Sequence, residues 1–367
     1  MLNTILVDVI PPDITKEEGM ERLNELENLV KTFGGIAVVK VIQKRGMPDY
    51  RTYVGSGKVQ EILNENKLNG KDSKANLLIM NNLLKPTQVY NLGEICKKQG
   101  IEVWDRIDLI LKIFDKHAKS VEAKLQIELA AIRHMGPRIY GLGLELTRQA
   151  GGIGTRGIGE TNIQIMKRHL RRREQKIKEK LKHYDLVQEN HRKQRRKKDL
   201  KTVSVVGYTN AGKSTLLNSL TKKGVYVADK LFATLETTVG QLFLPASGKI
   251  ALLSDTIGFI QDLPPDLIDA FKSTLAEIID ADLLLHVIDV SDPLYESKIL
   301  VVEDILTELG VSSKSKIYVF NKIDLNKNIN KEEISDHYNI FSPVFVSAEK
   351  KEGLKDLVSK IENHLFP

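Results

Sequence analysis

The sequence predicts an α/β protein in three parts: a small N-terminal parallel α/β domain, an antiparallel α-helical hairpin, and a C-terminal doubly wound α/β domain. Three observations predict it. Over residues 1–115, β-branched runs of strand length alternate with helical patterns. That β signal disappears from about 116 to 200 and returns from Thr202 to the end. Charge is segregated in the same way. The chain is at +7, yet residues 167–198 hold 15 Lys/Arg against 4 Asp/Glu, or +11, leaving −4 on the remainder.

In the first part (1–118), TILVDVI, IAVVKVI and ANLLIMN are strand candidates, rich in β-branched and other apolar residues. Between them, EEGMERLNELENLVKTFGG and KVQEILNENKLNG carry apolar residues at helical spacing and end on glycine stops. The second part (119–200) begins with VEAKLQIELAAIRHM, which puts Val121, Leu125, Leu129 and Ile132 on one stripe. In KRHLRRREQKIKEKLKHYDLV, Leu170, Ile177, Leu181 and Tyr184 follow near-heptad spacing. Two narrow stripes bury best against each other, which predicts a hairpin. The segment 136–159 between them contains eight glycines and is expected to be a long flexible loop. HRKQRRKKDLK, residues 191–201, reads as a charged linker. In the third part (201–367), TVSVVG, KIALLSD, LLLHVIDV, KIYVFN and SPVFVSA are five strand candidates separated by helical patterns.

Composition narrows the function classes. With 367 residues, 41% hydrophobic and 28% charged, the chain fits a globular protein with a sizeable core. The single cysteine, Cys96, excludes an internal disulfide and an all-cysteine zinc site. MLNTILVDVIPPD has no basic n-region, so no signal peptide is expected. Apolar runs such as LLLHVID fall far short of the roughly 18 residues of a membrane span. A cytoplasmic monomer is expected.

The chemistry concentrates in the third part. GYTNAGKS matches G-x-x-x-x-G-K-[ST] after an apolar strand and before a helical pattern. Gly207, Tyr208, Thr209, Asn210, Ala211, Gly212, Lys213, Ser214 and Thr215 are therefore expected to cradle phosphates, because glycine lets backbone N–H groups wrap an anion at a helix N-terminus. Lys213 should reach the β- and γ-phosphates, and Ser214 should bind Mg²⁺. NKID follows KIYVF: the Asp324 carboxylate can accept from guanine N1–H and the 2-amino group, which adenine cannot offer. Asn321 can donate to ring N7, the Lys322 stem can cover the base beside Ile323, and Ser347, Ala348 and Glu349 resemble the loop that caps guanine O6. GTP/GDP is the expected ligand. In DTIG, Asp255 is placed to hold the Mg²⁺ hydration shell, with Thr256 and Ile257 leading to Gly258, whose N–H can contact the γ-phosphate. LFATLETT supplies threonines for the first switch. YVGSGKVQEI also contains G-x-G-K, but Val59 stands where Mg²⁺ needs Ser or Thr, and Thr52 stands for the upstream glycine.

These signatures, with ADKLFATLE, DTIGFIQDLP, GGIGTRGIGETN, YVGSGKVQEI, VWDRIDLILKIFDKHA and LQIELAAIRHMGPRI, resemble the HflX family of GTPases over nearly the whole chain. The resemblance implies a P-loop G domain that hydrolyses GTP and a partner in the large ribosomal subunit and its rRNA, with ribosome splitting under stress in some members. It also implies that Phe232, Ala233, Thr234, Leu235 and Glu236 form a switch in which Thr234 ligates Mg²⁺. Lys213, Thr234 and Gly258 are then the catalytic candidates, and Ser214, Thr234 and (through water) Asp255 the metal set. The chain departs from the family at Glu236, Gln164 and Met166.

Phe259 stands where Ras-like switches place a water-orienting glutamine. Two routes to hydrolysis follow. The ribosome could order the switches around a slow intrinsic site, or K⁺ could bridge the phosphates at Asn210, which matches a K⁺-ligating asparagine in TrmE- and Era-like GTPases. The basic segment, with Arg138, Arg148 and Arg156 flanking the glycine-rich stretch, suits an RNA phosphate backbone. Alternative readings are a nucleotide-switched RNA-binding factor in ribosome assembly and ATP-dependent RNA remodelling through the N-terminal domain.

Overall fold

The computed structural model describes residues 2–68, 74–149, 156–197, 200–221, 232, 238–256, 258–261, 272–326 and 329–367. The chain divides into two compact units: Met1–His117 with Lys124–Leu181, and Ala118–Ala123 with Lys182–Pro367.

The first unit contains a parallel four-stranded sheet in the order β2-β1-β3-β4, with β1 Leu2–Ile10, β2 Gly35–Lys44, β3 Leu77–Met80 and β4 Glu102–Asp105. Its helices are α1 (Lys16–Phe33), α2 (Ser56–Leu68), α3 (Pro86–Lys97) and α4 (Arg106–His117). Helix α1 starts where it does because Thr15 and Glu18 form a reciprocal capping box, 3.2 and 2.8 Å. It stops at Gly34, whose φ of 104° suits glycine. The fourth strand escaped the sequence reading because EVWD is short and charged at both ends.

Helices α5 (Val121–Gln149) and α6 (Arg156–Lys197) form the hairpin. Here the expected loop is corrected. Gly136, Gly141 and Gly143 lie inside α5, and Gly157 and Gly159 inside α6. Gly151, Gly152 and Gly154 lie outside the described residues. Glycine costs a helix only about 1 kcal/mol per residue relative to alanine. Against that, α5 is anchored just where the glycines begin. Arg138 donates to Asp108 at 2.6 Å and also pairs with Asp105, while His134 Nε2 lies 3.3 and 3.2 Å from the same two carboxylates. Burial would depress His134, but Asp105 and Asp108 outweigh it and hold the imidazole above its ordinary value. The expected linker is corrected too, since α6 continues to Lys197 on good helix formers. Val121 leaves the expected stripe and is 62% exposed, whereas Leu125, Leu129 and Ile177 are buried.

The second unit holds a six-stranded sheet in the order β10-β9-β8-β5-β7-β6. The strands are β5 Thr202–Gly207, β6 Thr238–Leu244, β7 Lys249–Asp255, β8 Leu283–Asp289, β9 Lys316–Asn321 and β10 Val344–Phe345. All pairs are parallel except β6–β7. Strand β6, absent from the sequence reading, follows the threonine-rich switch segment and alternates buried and exposed residues. Its described residues also form helices α7 (Lys213–Leu220), α8 (Lys272–Asp280), α9 (Tyr295–Glu308), α10 (Lys331–His337) and α11 (Leu354–Leu365). Val203, Val205, Leu216, Leu253, Leu285, Val319 and Leu357 belong to one core cluster. A second cluster contains Tyr318, whose ring stacks on Phe341 at 4.2 Å.

Beside that stack, Glu303 of α9 accepts from the Tyr318 hydroxyl at 2.9 Å, lies 3.2 Å from His286 and pairs with Lys316. Burial opposes the charge on Glu303, yet His286 and Lys316 outweigh it and hold the carboxyl at about 2, below its ordinary 4.5. A depressed carboxyl stabilises the fold above its unfolded value and loses that contribution as pH falls toward 2. Urea unfolding should therefore show this contribution intact at neutral pH and draining below about pH 4.5. Glu303→Ala strands a buried lysine and histidine, and should cost about 3 kcal/mol at pH 7. A loss below about 0.5 kcal/mol would count against the network.

Candidate guanine-nucleotide site

Strand β5 ends on Gly207, where an added Cβ would collide with the Val287 carbonyl of β8. The chain then turns through Tyr208, Thr209, Asn210 (φ 64°), Ala211 and Gly212 (φ 93°) into α7. Gly212 is held tightly as well, because a Cβ there would run into the Asn321 side chain. The two outer glycines of the motif are thus required by packing, and the loop delivers Lys213 and Ser214 to the start of a helix.

Lys213 is buried, and its Nζ donates to the carbonyls of Tyr208 at 2.7 Å and Gly207 at 3.1 Å. Burial pushes its ammonium down to about 8, against the favourable field of Asp255. Ser214 Oγ donates to Asp255 Oδ2 at 2.6 Å. These two hard oxygen donors fit Mg²⁺. Ser214 would ligate the ion directly and Asp255 would hold its water shell, so that it offsets phosphate charge when bound.

The base end is assembled from two loops. Asn321 uses one N–H to reach the Ala211 carbonyl at 2.9 Å, and its Oδ1 accepts from the Ala348 N–H at 3.0 Å. The Asp324 carboxyl is held below its ordinary value, first by the Ser347 hydroxyl and more weakly by Lys350. It is thus an ionised acceptor of the kind guanine requires. Lys322, at a φ of 65°, pairs with Asp289 at 2.7 Å, which fixes the stem expected to cover the base. Neither the Asp289 anchor nor the Ser347 partner was visible in the motifs, because both depend on strands β8 and β10 ending side by side with β9.

Gly258 sits against the P-loop: a Cβ there would meet Thr209 Cγ2 at 2.9 Å and Lys213 Nζ at 3.0 Å. Phe259 is 1% exposed and pairs with Tyr208 as a single parallel bridge. The Thr209 N–H donates to the Phe259 carbonyl at 2.7 Å, and the Phe259 N–H donates to Gly207 at 3.1 Å. The Gln261 N–H donates to the Tyr208 hydroxyl at 2.9 Å, and Lys298 stands over the Tyr208 ring at 5.0 Å. Thr256 Oγ1 donates to the Val205 carbonyl at 2.7 Å. The structure therefore brings together the P-loop residues 207–214, Asp255, Gly258, Asn321 and Ala348, with Lys322, Asp324 and Ser347 at the base end, and Thr215, Thr256, Ile323 and Glu349 adjoin them in the chain. Phe232 is buried with a φ of 57°. Ala233, Thr234, Leu235, Glu236 and Ile257 lie outside the described residues.

Two other features do not join this site. In YVGSGKVQEI, Val59 is buried in the first unit's core and the Gly55 N–H is committed to Gln43 Oε1 at 2.9 Å. Asp105, Asp108 and His134 lie close enough to converge on a cation, but the Arg138 guanidinium already sits on both carboxylates. Arg138, expected to face RNA, is instead buried in that pair.

Fold and site define a P-loop GTPase that selects guanine nucleotides. Family models match residues 20–115 as a GTP-binding GTPase N-terminal region, 117–195 as a GTP-binding GTPase middle region, and 202–322 as a 50S ribosome-binding GTPase. GTPase HflX of Caldanaerobacter subterraneus subsp. tengcongensis is 44% identical over 353 residues, covering 96% of this chain and 79% of that protein. GTPase HflX of Escherichia coli is 39% identical over 351 residues, covering 96% and 80%. A GTP-binding protein from Sulfolobus solfataricus, solved with GDP, is similar at a TM-score of 0.51 and 27% identity, covering 100% of this chain and 99% of that one. The chain belongs to the HflX family of GTPases.

The lowered Lys213 sets a pH dependence. Phosphate oxygens favour the ammonium, so nucleotide binding must take up a proton once the free lysine has lost it. GDP affinity should be flat below about pH 8 and fall above it, by up to about tenfold per pH unit. Fluorescent-GDP titrations between pH 7 and 9.5 test this, and an affinity that stays flat to pH 9.5 contradicts it.

Proposed function

We propose that this GTPase acts on the large ribosomal subunit and its rRNA, with GTP binding driving ribosome splitting or recycling under stress. The observation that carries the reading is the face of α6. Arg168, Arg171, Arg172, Lys176, Lys178, Lys180 and Lys182 are exposed along one helix, while Ile177 is buried. From Arg168 to Lys182 the helix rises about 21 Å, so these cations form a linear array that can follow a phosphate backbone. The match of the G domain to a 50S ribosome-binding GTPase supports the same partner. Within the hydrolysis step, Lys213 and the Gly258 N–H are the groups set against the γ-phosphate, with Thr234 from the first switch.

Co-sedimentation with purified large subunits tests the partner. Pelleting should be stronger with a non-hydrolysable GTP analogue than with GDP. The triple variant R168E/R171E/R172E should weaken it at least tenfold, most at low salt. The proposal fails if pelleting ignores both nucleotide and charge reversal.

Asn210 occupies the phosphate loop at a left-handed φ, and we assign it the K⁺ contact. Hydrolysis should then run several-fold faster in K⁺ than in Na⁺, and Asn210→Ala should remove the difference. Equal rates in the two salts for the unmodified chain would exclude this role.

A further inference from the structure

Phe259 cannot orient a water, and the structure shows where its side chain goes instead: into the core, with its backbone bridged to Tyr208. Hydrolysis of GTP still needs a group that fixes the attacking water against the γ-phosphate. Thr209 is the P-loop side chain packed against Gly258, one of the two groups expected at that phosphate. A Cβ on Gly258 would lie 2.9 Å from its Cγ2 and 3.0 Å from its Cα, and Lys213 Nζ lies at 3.0 Å from the same point. Thr209 is only 6% exposed, and its hydroxyl has no hydrogen-bond partner among the described residues. Its backbone N–H is already committed to the Phe259 carbonyl, so the hydroxyl is the hydrogen-bond donor this residue has left to offer. A buried hydroxyl without a partner carries a desolvation penalty that a bound ligand removes. A χ1 rotation of about 120° carries the hydroxyl into the position the methyl now holds and the methyl into that of the Cβ hydrogen, so the hydroxyl can reach the face the methyl now presents to Gly258.

We propose that the Thr209 hydroxyl is a catalytic hydrogen-bonding group that takes over the positioning work a glutamine performs elsewhere. It accepts a hydrogen bond from the attacking water and donates one to a γ-phosphoryl oxygen. The water oxygen then bonds to the γ-phosphorus, and the bond from that phosphorus to the β–γ bridging oxygen breaks. GDP departs with the electron pair, and both protons of the water leave on inorganic phosphate. Thr209 itself is unchanged. This assignment rests on the GTPase activity and not on the ribosomal partner.

Single-turnover hydrolysis by the full-length protein, with Mg²⁺ and K⁺ and without ribosomes, is the test. Thr209→Val keeps the shape and removes the hydroxyl, and Thr209→Ser keeps the hydroxyl and removes the methyl. Thr209→Val should lower the rate about tenfold to a hundredfold while GDP affinity stays within about twofold. Thr209→Ser should remain within about threefold of the unmodified rate. A Thr209→Val rate equal to the unmodified chain overturns the proposal. So does an equal loss in both variants, which would make the residue a packing element against Gly258. Should Thr209→Val fail to bind GDP, the serine variant decides: near-normal turnover supports the hydroxyl, and a tenfold loss overturns it.

Discussion

One amide group ties the nucleotide site together. Asn321 reaches the Ala211 carbonyl with its Nδ2 and receives the Ala348 N–H on its Oδ1, so residues separated by 110 and 27 positions share one side chain. The P-loop, the NKID turn and the SAE loop are thereby set at fixed distances before any ligand arrives. Gly212 completes the arrangement because only the lack of a Cβ lets the loop close on that amide. Such a shared hub gives preorganisation: the three loops need not move relative to one another when phosphate and base bind.

The phenylalanine after Gly258 belongs to the same economy. A glutamine at that position would be a mobile polar side chain, whereas Phe259 is a core residue whose backbone extends the edge of the P-loop. The two hydrogen bonds of Phe259 to Gly207 and Thr209 make the start of the second switch continuous with the phosphate loop. Tyr208 reinforces this through Gln261 and the overlying Lys298. Rigidity is gained on the γ-phosphate side, and the burden of orienting water passes to groups outside that side chain.

Sequence patterns revealed the G domain well because its signals are local. GYTNAGKS lies between a valine-rich strand and a helix, and each glycine answers to one close contact. The NKID and SAE motifs were legible for the same reason, while the partners that hold them were not. Asp289 grips Lys322 and Ser347 grips Asp324 only because β8, β9 and β10 end together. Strand β4 was missed on length and polarity, since pairing, rather than propensity, makes EVWD a strand.

The hairpin failed locally for an instructive reason. Counting glycines treats each residue alone, yet α5 carries His134 and Arg138 one turn apart, just where the glycine-rich stretch opens. Both meet Asp105 and Asp108, which lie where β4 passes into α4. A buried ion cluster of this kind contributes little net stability against a well-packed apolar core, but removing one partner is costly. Its value is in fixing register: a slip of α5 by a single residue would strand two carboxylates in the interior. A helix anchored in that way can carry glycines beyond the anchor, where propensity alone would let the chain unwind.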